Sequence, residues 1–231
     1  MKRVYRAVRI AAGDGGFAVE LDGRAAKSPA RRPLLVPARG LAVAIAAEWD
    51  AQVVEVDPRS MPLTRLASSA LDVVAVRHAE VAAEIAGYGA TDLVCHRSER
   101  PPELVLRQES AWQPLVDWAM RALDAPLLVT RGVVPVAQPE AALHALRRAV
   151  ERLDSWRLTA LASASHAAGS VIVGLALAAR RIDAEQAWRA SQVDETFEIE
   201  QWGADAESTV RRAALRDELI QARRFLDLVE G

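Results

Sequence analysis

Cysteine and lysine are almost absent from this sequence. Cys95 is the single cysteine among 231 residues, which excludes an intramolecular disulfide and a cysteine-built zinc site and fits a reducing compartment. Lys2 and Lys27 are the only lysines, so arginine carries nearly all of the positive charge. A GC-rich coding bias is the simpler explanation, and enrichment for bidentate pairing at interfaces is the alternative.

The chain also has no excess of positive charge. Its formal net charge is -2 and its pI is about 6.1, so it has no general attraction to nucleic acid or to anionic lipid. The first residues, MKRVYRAVRI, lack the apolar core of a signal peptide and are too few before the first expected strand for a transit peptide. We therefore expect a bacterial cytoplasmic protein that does not bind nucleic acid.

One long uncharged run, residues 158–179, raises the question of membrane insertion. It is rich in alanine and contains Thr159, Ser163, His166 and Ser170, which weakens the case for a membrane span. The run predicts a buried helix or helix pair instead.

Motifs for nucleotide and metal chemistry are missing. The sequence contains no GxxxxGK[ST] phosphate cradle. GDGG at residues 13–16 lacks the glycine spacing of a dinucleotide site and predicts a plain turn. Cys95 and His96 are adjacent, so a regular helix does not aim both side chains at one ion, and the other histidines are isolated. We expect no cofactor and no metal.

A nucleophilic hydrolase site is also disfavoured. Ser163, Ser165 and His166 lie close in sequence, but no GxSxG elbow surrounds them and adjacent positions diverge around a helix. The basic residues near the N-terminus have two readings, a solvated rim or, less favoured, a phosphate clamp. They are Arg24, Lys27, Arg31 and Arg32.

Patterning predicts an α+β fold in which a small antiparallel β-rich domain with a covering helix precedes a larger all-helical domain. Residues 5–36 are strand-like, and Asp22-Gly23 is a strong signal for a hairpin turn. Residues 38–52 are rich in helix formers and predict the covering helix. We place the β-rich domain at residues 1–60 and the helical domain at residues 61–231. The predicted helices of the second domain are Leu63–Ala86, Pro102–Leu123, Glu140–Leu153, Trp156–Arg180, Ala184–Trp202 and Ala206–Val229, with a short extended excursion at Leu127–Val136.

The most informative segment is DETFEIEQWGADAE at residues 194–207, which places six carboxylates around Phe197, Ile199 and Trp202. If the segment is helical, Glu195 shares a face with the isoleucine and the tryptophan at i, i+4 and i+7. A helix face that contacts only solvent has no physical requirement for a tryptophan. The pattern therefore predicts an acidic, aromatic corner.

Two residues define where that corner turns. Gly203 supplies a helix stop, and Asp205 occupies the expected N-cap of the next helix. A turn is predicted at residues 203 and 204.

The carboxylates of this corner allow three interpretations. They recognise a partner, or they pair within the chain, since Arg211 and Arg212 follow Asp205 and Glu207 within two turns. Alternatively, one carboxylate with a pKa raised beside Trp202 acts as an acid or base in a small-molecule enzyme with an interdomain cleft.

Six segments, taken in order and spacing, resemble the ATP12 chaperone family, and the resemblance covers nearly the whole chain. They are LDGRAAKSPARRPLLVP at 21–37, EWDAQ at 48–52, MPLTRLASSALD at 61–72, ATDLVCHR at 90–97, RQESAWQPLVDW at 107–118 and DETFEIEQWGADAE at 194–207. The first and last are specific. Ser28, where threonine is common, and His96, where an aromatic residue often follows the cysteine, are small departures.

The resemblance implies a two-domain assembly factor without a catalytic site. Members of this family bind the unassembled alpha subunit of the F-type ATP synthase and keep it from aggregating until the beta subunit replaces it. On this basis the expected partner is the alpha subunit. The expected partner-binding residues are Glu195, Glu198, Trp202, Asp205 and Glu207.

Overall fold

A small antiparallel sheet opens the chain. Its strands are β1 (Val8–Gly13), β2 (Gly16–Leu21), β3 (Arg24–Ala25) and β4 (Leu35–Val36). β2 pairs antiparallel with each of the other three strands. Asp22 and Gly23 turn the chain from β2 to β3 with φ of 50° and 78°, which are the two positive angles that a type I′ turn needs. The predicted hairpin is confirmed, and GDGG forms the plain turn between β1 and β2.

The first helix covers this sheet, as predicted. α1 (Arg39–Asp50) packs against β1, β2 and β4. Leu41, Ile45 and Trp49 recur at a spacing of four residues and are buried. Ala38, which precedes the helix, has extended backbone angles and follows Pro37. The helix therefore begins where the sequence indicates.

The structure is a computed structural model that describes residues 2–132 and 136–231. It is 63% helical and has the predicted α+β class. The further α-helices are α2 (Pro62–Ser69), α3 (His78–Gly87), α4 (Pro102–Leu123), α5 (Glu140–Glu151), α6 (Ser155–Ala168), α7 (Val171–Ala178), α8 (Ala184–Ser191), α9 (Val193–Trp202) and α10 (Ala206–Glu230).

Three of the predicted helices are each divided. The segment predicted as one helix at residues 63–86 contains α2, a π-helical stretch at Ala70–Val74 and α3. Gln192 separates α8 from α9 with a φ of -118°. Gly169, with a φ of 64°, separates α6 from α7. The uncharged run at residues 158–179 is therefore a helix pair, as predicted. In the part of the chain that the structure describes, no helix has the length and apolar character required to cross a bilayer.

Two short strands form a parallel pair. β5 (His96–Arg97) aligns with β6 (Thr130–Arg131). β6 confirms an extended excursion in the predicted range Leu127–Val136, of which residues 133–135 lie outside the described residues. No sequence pattern predicted β5, the partner strand of this excursion.

The chain groups into two compact units. Unit 1 comprises residues 1–78, 155–160 and 224–231, and unit 2 comprises residues 79–154 and 161–223. α6 and α10 each contribute residues to both units. The domain boundary between residues 60 and 61 stays a prediction.

Candidate functional site

The acidic corner is the turn between α9 and α10. α9 ends at Trp202 because Gly203 adopts a φ of 85° and its N–H bonds to the carbonyl of Ile199 at 2.8 Å. Asp205 caps α10, since its Oδ1 accepts a hydrogen bond from the N–H of Ser208 at 2.8 Å. The predicted turn and N-cap are both confirmed.

α9 is fixed to α4 by an arginine. Arg107 donates to Glu200 and to Glu103 at 2.7 Å each, and these hydrogen bonds raise the pKa of its guanidinium. The same guanidinium lies 5.4 Å from the ring centre of Phe197, the buried aromatic residue of α9. α9 therefore presents its remaining carboxylates from a supported helix.

Two further side chains of α4 hold the segment that leads into the corner. Gln108 is buried and donates to Asp194 Oδ1 at 2.6 Å and to Ser98 Oγ at 3.1 Å. Trp112 is fully buried and its Nε1 donates to the carbonyl of Ala190 at 2.7 Å. Sequence reasoning quoted these residues only as part of a resemblance and assigned them no structural role.

Glu195 is engaged within the chain. Its Oε1 accepts from Arg211 at 2.6 Å and from Ser208 Oγ at 2.7 Å, and Arg212 lies 3.8 Å from its Oε2. The intrachain pairing that the sequence suggested is present, but Glu195 is the partner of both arginines, in place of Asp205 and Glu207. The side chain of Glu195 is 22% exposed. It therefore holds α9 against α10 and also forms part of the surface of the corner.

The other predicted site residues face solvent. Trp202 is 80% exposed, so it does not act as a packing post for the chain. Glu198 and Glu207 are exposed. Within the described residues, neither of their carboxylates forms a hydrogen bond or ion pair. Val210, one turn into α10, is 71% exposed. The corner therefore combines an open indole, an apolar neighbour and two unpaired carboxylates.

Unit 2 also contains a buried carboxylate that the sequence did not single out. Asp92 is inaccessible to solvent and accepts from Ser170 Oγ at 2.6 Å and from the N–H of Ile172 at 3.1 Å. Burial raises the pKa of Asp92 to about 6, while these hydrogen bonds oppose the shift. Asp92 therefore binds the N-terminus of α7 from a distant part of the chain, which is a structural role.

The thiol of Cys95 and the histidine side chains, which are potential metal ligands, lie outside the corner. Burial raises the pKa of the Cys95 thiol to about 12, so the thiol stays protonated and is a poor nucleophile. Among the residues that the structure describes, no group of three or more His, Cys, Asp and Glu side chains is placed to hold a metal ion.

Comparison with known proteins gives a consistent match. The family model described as ATP12 chaperone protein matches residues 2–120. The crystal structure of Atp12 from Paracoccus denitrificans is 42% identical, with a TM-score of 0.95 over 99% of this chain and 98% of that chain. The Atu1473 protein of Agrobacterium tumefaciens is 36% identical, with a TM-score of 0.92 over 99% and 86% of the two chains. The mitochondrial protein atp12 of Schizosaccharomyces pombe is 25% identical over 203 residues, which are 83% of this chain and 70% of that protein.

Proposed function

Because this chain belongs to the ATP12 chaperone family, the assembly chaperones of ATP synthase, we propose that it binds the unassembled alpha subunit. It prevents aggregation of that subunit until the beta subunit takes its place. It does so by equilibrium binding, without ATP hydrolysis and without any catalytic step. Its similarity to two bacterial proteins supports the further proposal that it acts in a bacterial cytoplasm.

Mass action is sufficient for such a function. An unassembled subunit exposes apolar surface that is meant for its neighbour, and a binder that covers this surface lowers the concentration of the aggregating species. Release requires only that the incoming neighbour compete for the same surface. A contact of about 800 Å² on each partner gives useful affinity and remains displaceable.

The exposed indole of Trp202 is the observation that carries this proposal. Exposure of 80% is unusual for the largest apolar side chain, and tryptophan is enriched among residues that dominate binding energy at interfaces. Glu198 and Glu207 flank it without partners among the described residues, so they are available to arginine or lysine on the client.

Asp205 and Glu195, the remaining two residues of the proposed surface, fix the positions of the helices that form it. Asp205 sets the start of α10 through its hydrogen bond to Ser208, and Glu195 ties α9 to α10 through Arg211. We propose that both orient the exposed residues as well as bordering the contact.

The small-molecule enzyme has no comparable support. A small-molecule site is a cleft that encloses its ligand, whereas Glu198 and Glu207 are exposed. Two grooves described on this chain, one in each unit, contain no residue of the 194–207 segment.

Light scattering of purified alpha subunit, diluted from denaturant with and without the chaperone, tests the proposed function. We expect the Trp202→Ala variant to need about tenfold more protein for equal protection, with its free energy of unfolding unchanged within about 0.5 kcal/mol. Val4→Ala, which truncates an 87% exposed apolar residue elsewhere, is the matched control.

Charge is tested in the same assay. We expect Glu207→Gln to weaken protection without unfolding the chain, while Glu218→Gln, an exposed position on the same helix, leaves it unchanged. A wild-type chain that leaves the alpha subunit to precipitate as fast as buffer does would refute the proposed function. Full protection by Trp202→Ala and Glu207→Gln would instead remove the corner as the contact surface.

A further inference from the structure

Unit 1 contains a groove of about 680 Å³ that none of the sequence patterns indicated. This volume lies in the range of about 300–1,000 Å³ that is typical of ligand pockets. Pro29, Pro58 and Val73 contribute exposed apolar surface, and Lys27 and Arg65 contribute positive charge. The groove therefore combines an apolar lining with two cations.

Polar contacts hold the walls of this groove in place. The carboxylate of Asp72 accepts from Ser28 Oγ at 2.7 Å and from the N–H of Ala30 at 2.9 Å, which ties the turn after β3 to the π-helical stretch. Glu48 accepts from the N–H groups of Leu63 and Thr64 at 2.8 Å each, which ties α1 to the start of α2. The groove is therefore formed before any ligand binds, and π-helical stretches often lie at functional sites.

A further wall is the connection after α1. Gln52 is buried, its Nε2 donates to Ser60 Oγ at 3.0 Å and its Oε1 accepts from the N–H of Asp57 at 2.8 Å. This pair of hydrogen bonds fixes residues 52–60, which include Val56 and Pro58 of the lining.

Trp49 is a lining residue whose position is fixed by its neighbours. The residue is 8% exposed, and its Nε1 is buried and has no hydrogen-bond partner among the described residues. The residue is held by Tyr5, whose hydroxyl donates to the carbonyl of Trp49 at 2.6 Å and whose ring lies 5.7 Å away. The indole is therefore held in the wall of the groove, with its N–H enclosed by the protein.

The two cations are also available. Within residues 2–132 and 136–231, the side chains of Lys27 and Arg65 form no hydrogen bond or ion pair. Asp72 is the carboxylate of the groove, and its two oxygens are already used by Ser28 and Ala30. The available groups are therefore two cations beside an apolar surface.

We propose that this groove binds an extended segment of the client protein that has apolar side chains and one acidic side chain. The inference rests on the proposed function, because a chaperone has a protein as its ligand. The acidic side chain pairs with Lys27 and Arg65, and the apolar side chains contact Val73 and Pro58. This contact is distinct from the acidic corner, since it lies in unit 1 and has the opposite charge.

Binding of short peptides to the full chain tests the groove. The probes are fluorescently labelled synthetic peptides of 12 residues that overlap along the alpha subunit, and fluorescence polarisation reports binding. We expect the bound peptides to contain an acidic residue among apolar ones, and replacement of that acid by its amide to weaken them. We expect the Lys27→Glu/Arg65→Glu variant to bind them about tenfold more weakly, as the loss and reversal of two exposed charge pairs implies.

Arg24→Glu/Arg39→Glu is the matched control, because it makes the same change of charge in unit 1 at exposed positions outside the groove lining. We expect it to bind the peptides within about twofold of wild type. Circular dichroism melts establish that both variants fold. A second variant, Val73→Ala, truncates an exposed apolar residue of the lining, and we expect it to weaken the same peptides.

Several outcomes overturn the groove as a peptide site. These are equal binding of the peptides by Lys27→Glu/Arg65→Glu and its control, binding of none of the peptides by wild type, or binding only of a small amphipathic carboxylate such as decanoate. Protection of full-length alpha subunit in the scattering assay separates the two proposals. If Lys27→Glu/Arg65→Glu protects as wild type does, the groove proposal falls and the proposed function stands. If wild type gives no protection, the proposed function itself falls.

Discussion

The buried carboxylate of Asp92 predicts an unusual dependence of stability on pH. Asp92 is inaccessible to solvent at the start of α7, where its oxygens accept from Ser170 Oγ and from the N–H groups of Val94 and Ile172. Replacement by Asn preserves the size of the side chain and removes the charge. It also turns one acceptor into a donor, so the variant carries a loss of stability that does not change with pH.

The pH-dependent part follows from the pKa. Burial raises the pKa of Asp92 from the ordinary value of 3.8 to about 6, so between these values the folded chain binds more protons than the unfolded chain. The stability that this group contributes is therefore present at low pH and is lost as pH rises through 6. Relative to Asp92→Asn, wild type should gain about 1.4 kcal/mol when the pH falls from about 7.5 to about 5.

Urea unfolding of both proteins, followed by circular dichroism at several pH values, measures this difference. Other acids alter the absolute stability of both proteins, and the comparison with Asp92→Asn removes their contribution. Asp14→Asn, altered in the exposed turn between β1 and β2, controls for the loss of one carboxylate. A gap between wild type and Asp92→Asn that is constant across this pH range, or that favours wild type more at high pH, would refute the reasoning.

Other substitutions test the corner and the sheet by urea unfolding. Glu195→Gln should lower the free energy of unfolding by about 1 kcal/mol, because it weakens the hydrogen bonds to α10. The control, Glu198→Gln, should change the free energy of unfolding by less than about 0.5 kcal/mol. Equal values for the two variants would show that Glu195 does not stabilise the corner. Gly16→Ala should cost more than about 2 kcal/mol, because its Cβ would lie 2.3 Å from the carbonyl oxygen of Val36. Gly87→Ala meets nothing within 4 Å and should be neutral or stabilising, so a comparable loss there would contradict the steric argument.

Local signals predicted the turns and the helix ends well. The Asp22-Gly23 hairpin, the stop at Gly203 and the cap at Asp205 each depend on one or two residues whose backbone preferences are strong. The covering helix over the sheet followed from helix-forming residues after Pro37. These features could be predicted because their causes lie within a few residues.

Features that depend on tertiary contacts could not be predicted. The pairing of His96–Arg97 with Thr130–Arg131 joins two strands of two residues each that are far apart in sequence. Such short strands are too short to show an alternation of apolar and polar residues. The sequence placed Arg211 and Arg212 beside the nearest carboxylates, but the turn at Gly203 brings α9 back along α10 and gives them Glu195 instead.

The groove of unit 1 was missed for the same reason. Its lining comes from the turn after β3, the end of α1, the connection beyond it, α2 and the π-helical stretch. The sequence shows that residue 49 is tryptophan, but it does not show whether the indole N–H has a hydrogen-bond partner in the fold.

The discontinuity of unit 1 has a consequence for biosynthesis. Its segments 155–160 and 224–231 meet through the stacked rings of Trp156 and Phe225, 6.2 Å apart, and through the ion pair of Arg157 with Glu230 at 3.3 Å. A ribosome has therefore released the sheet-forming residues long before it makes the segments that complete their unit. Vectorial folding of an N-terminal unit during translation cannot finish here, and the nascent chain must wait for its distal residues before unit 1 is complete.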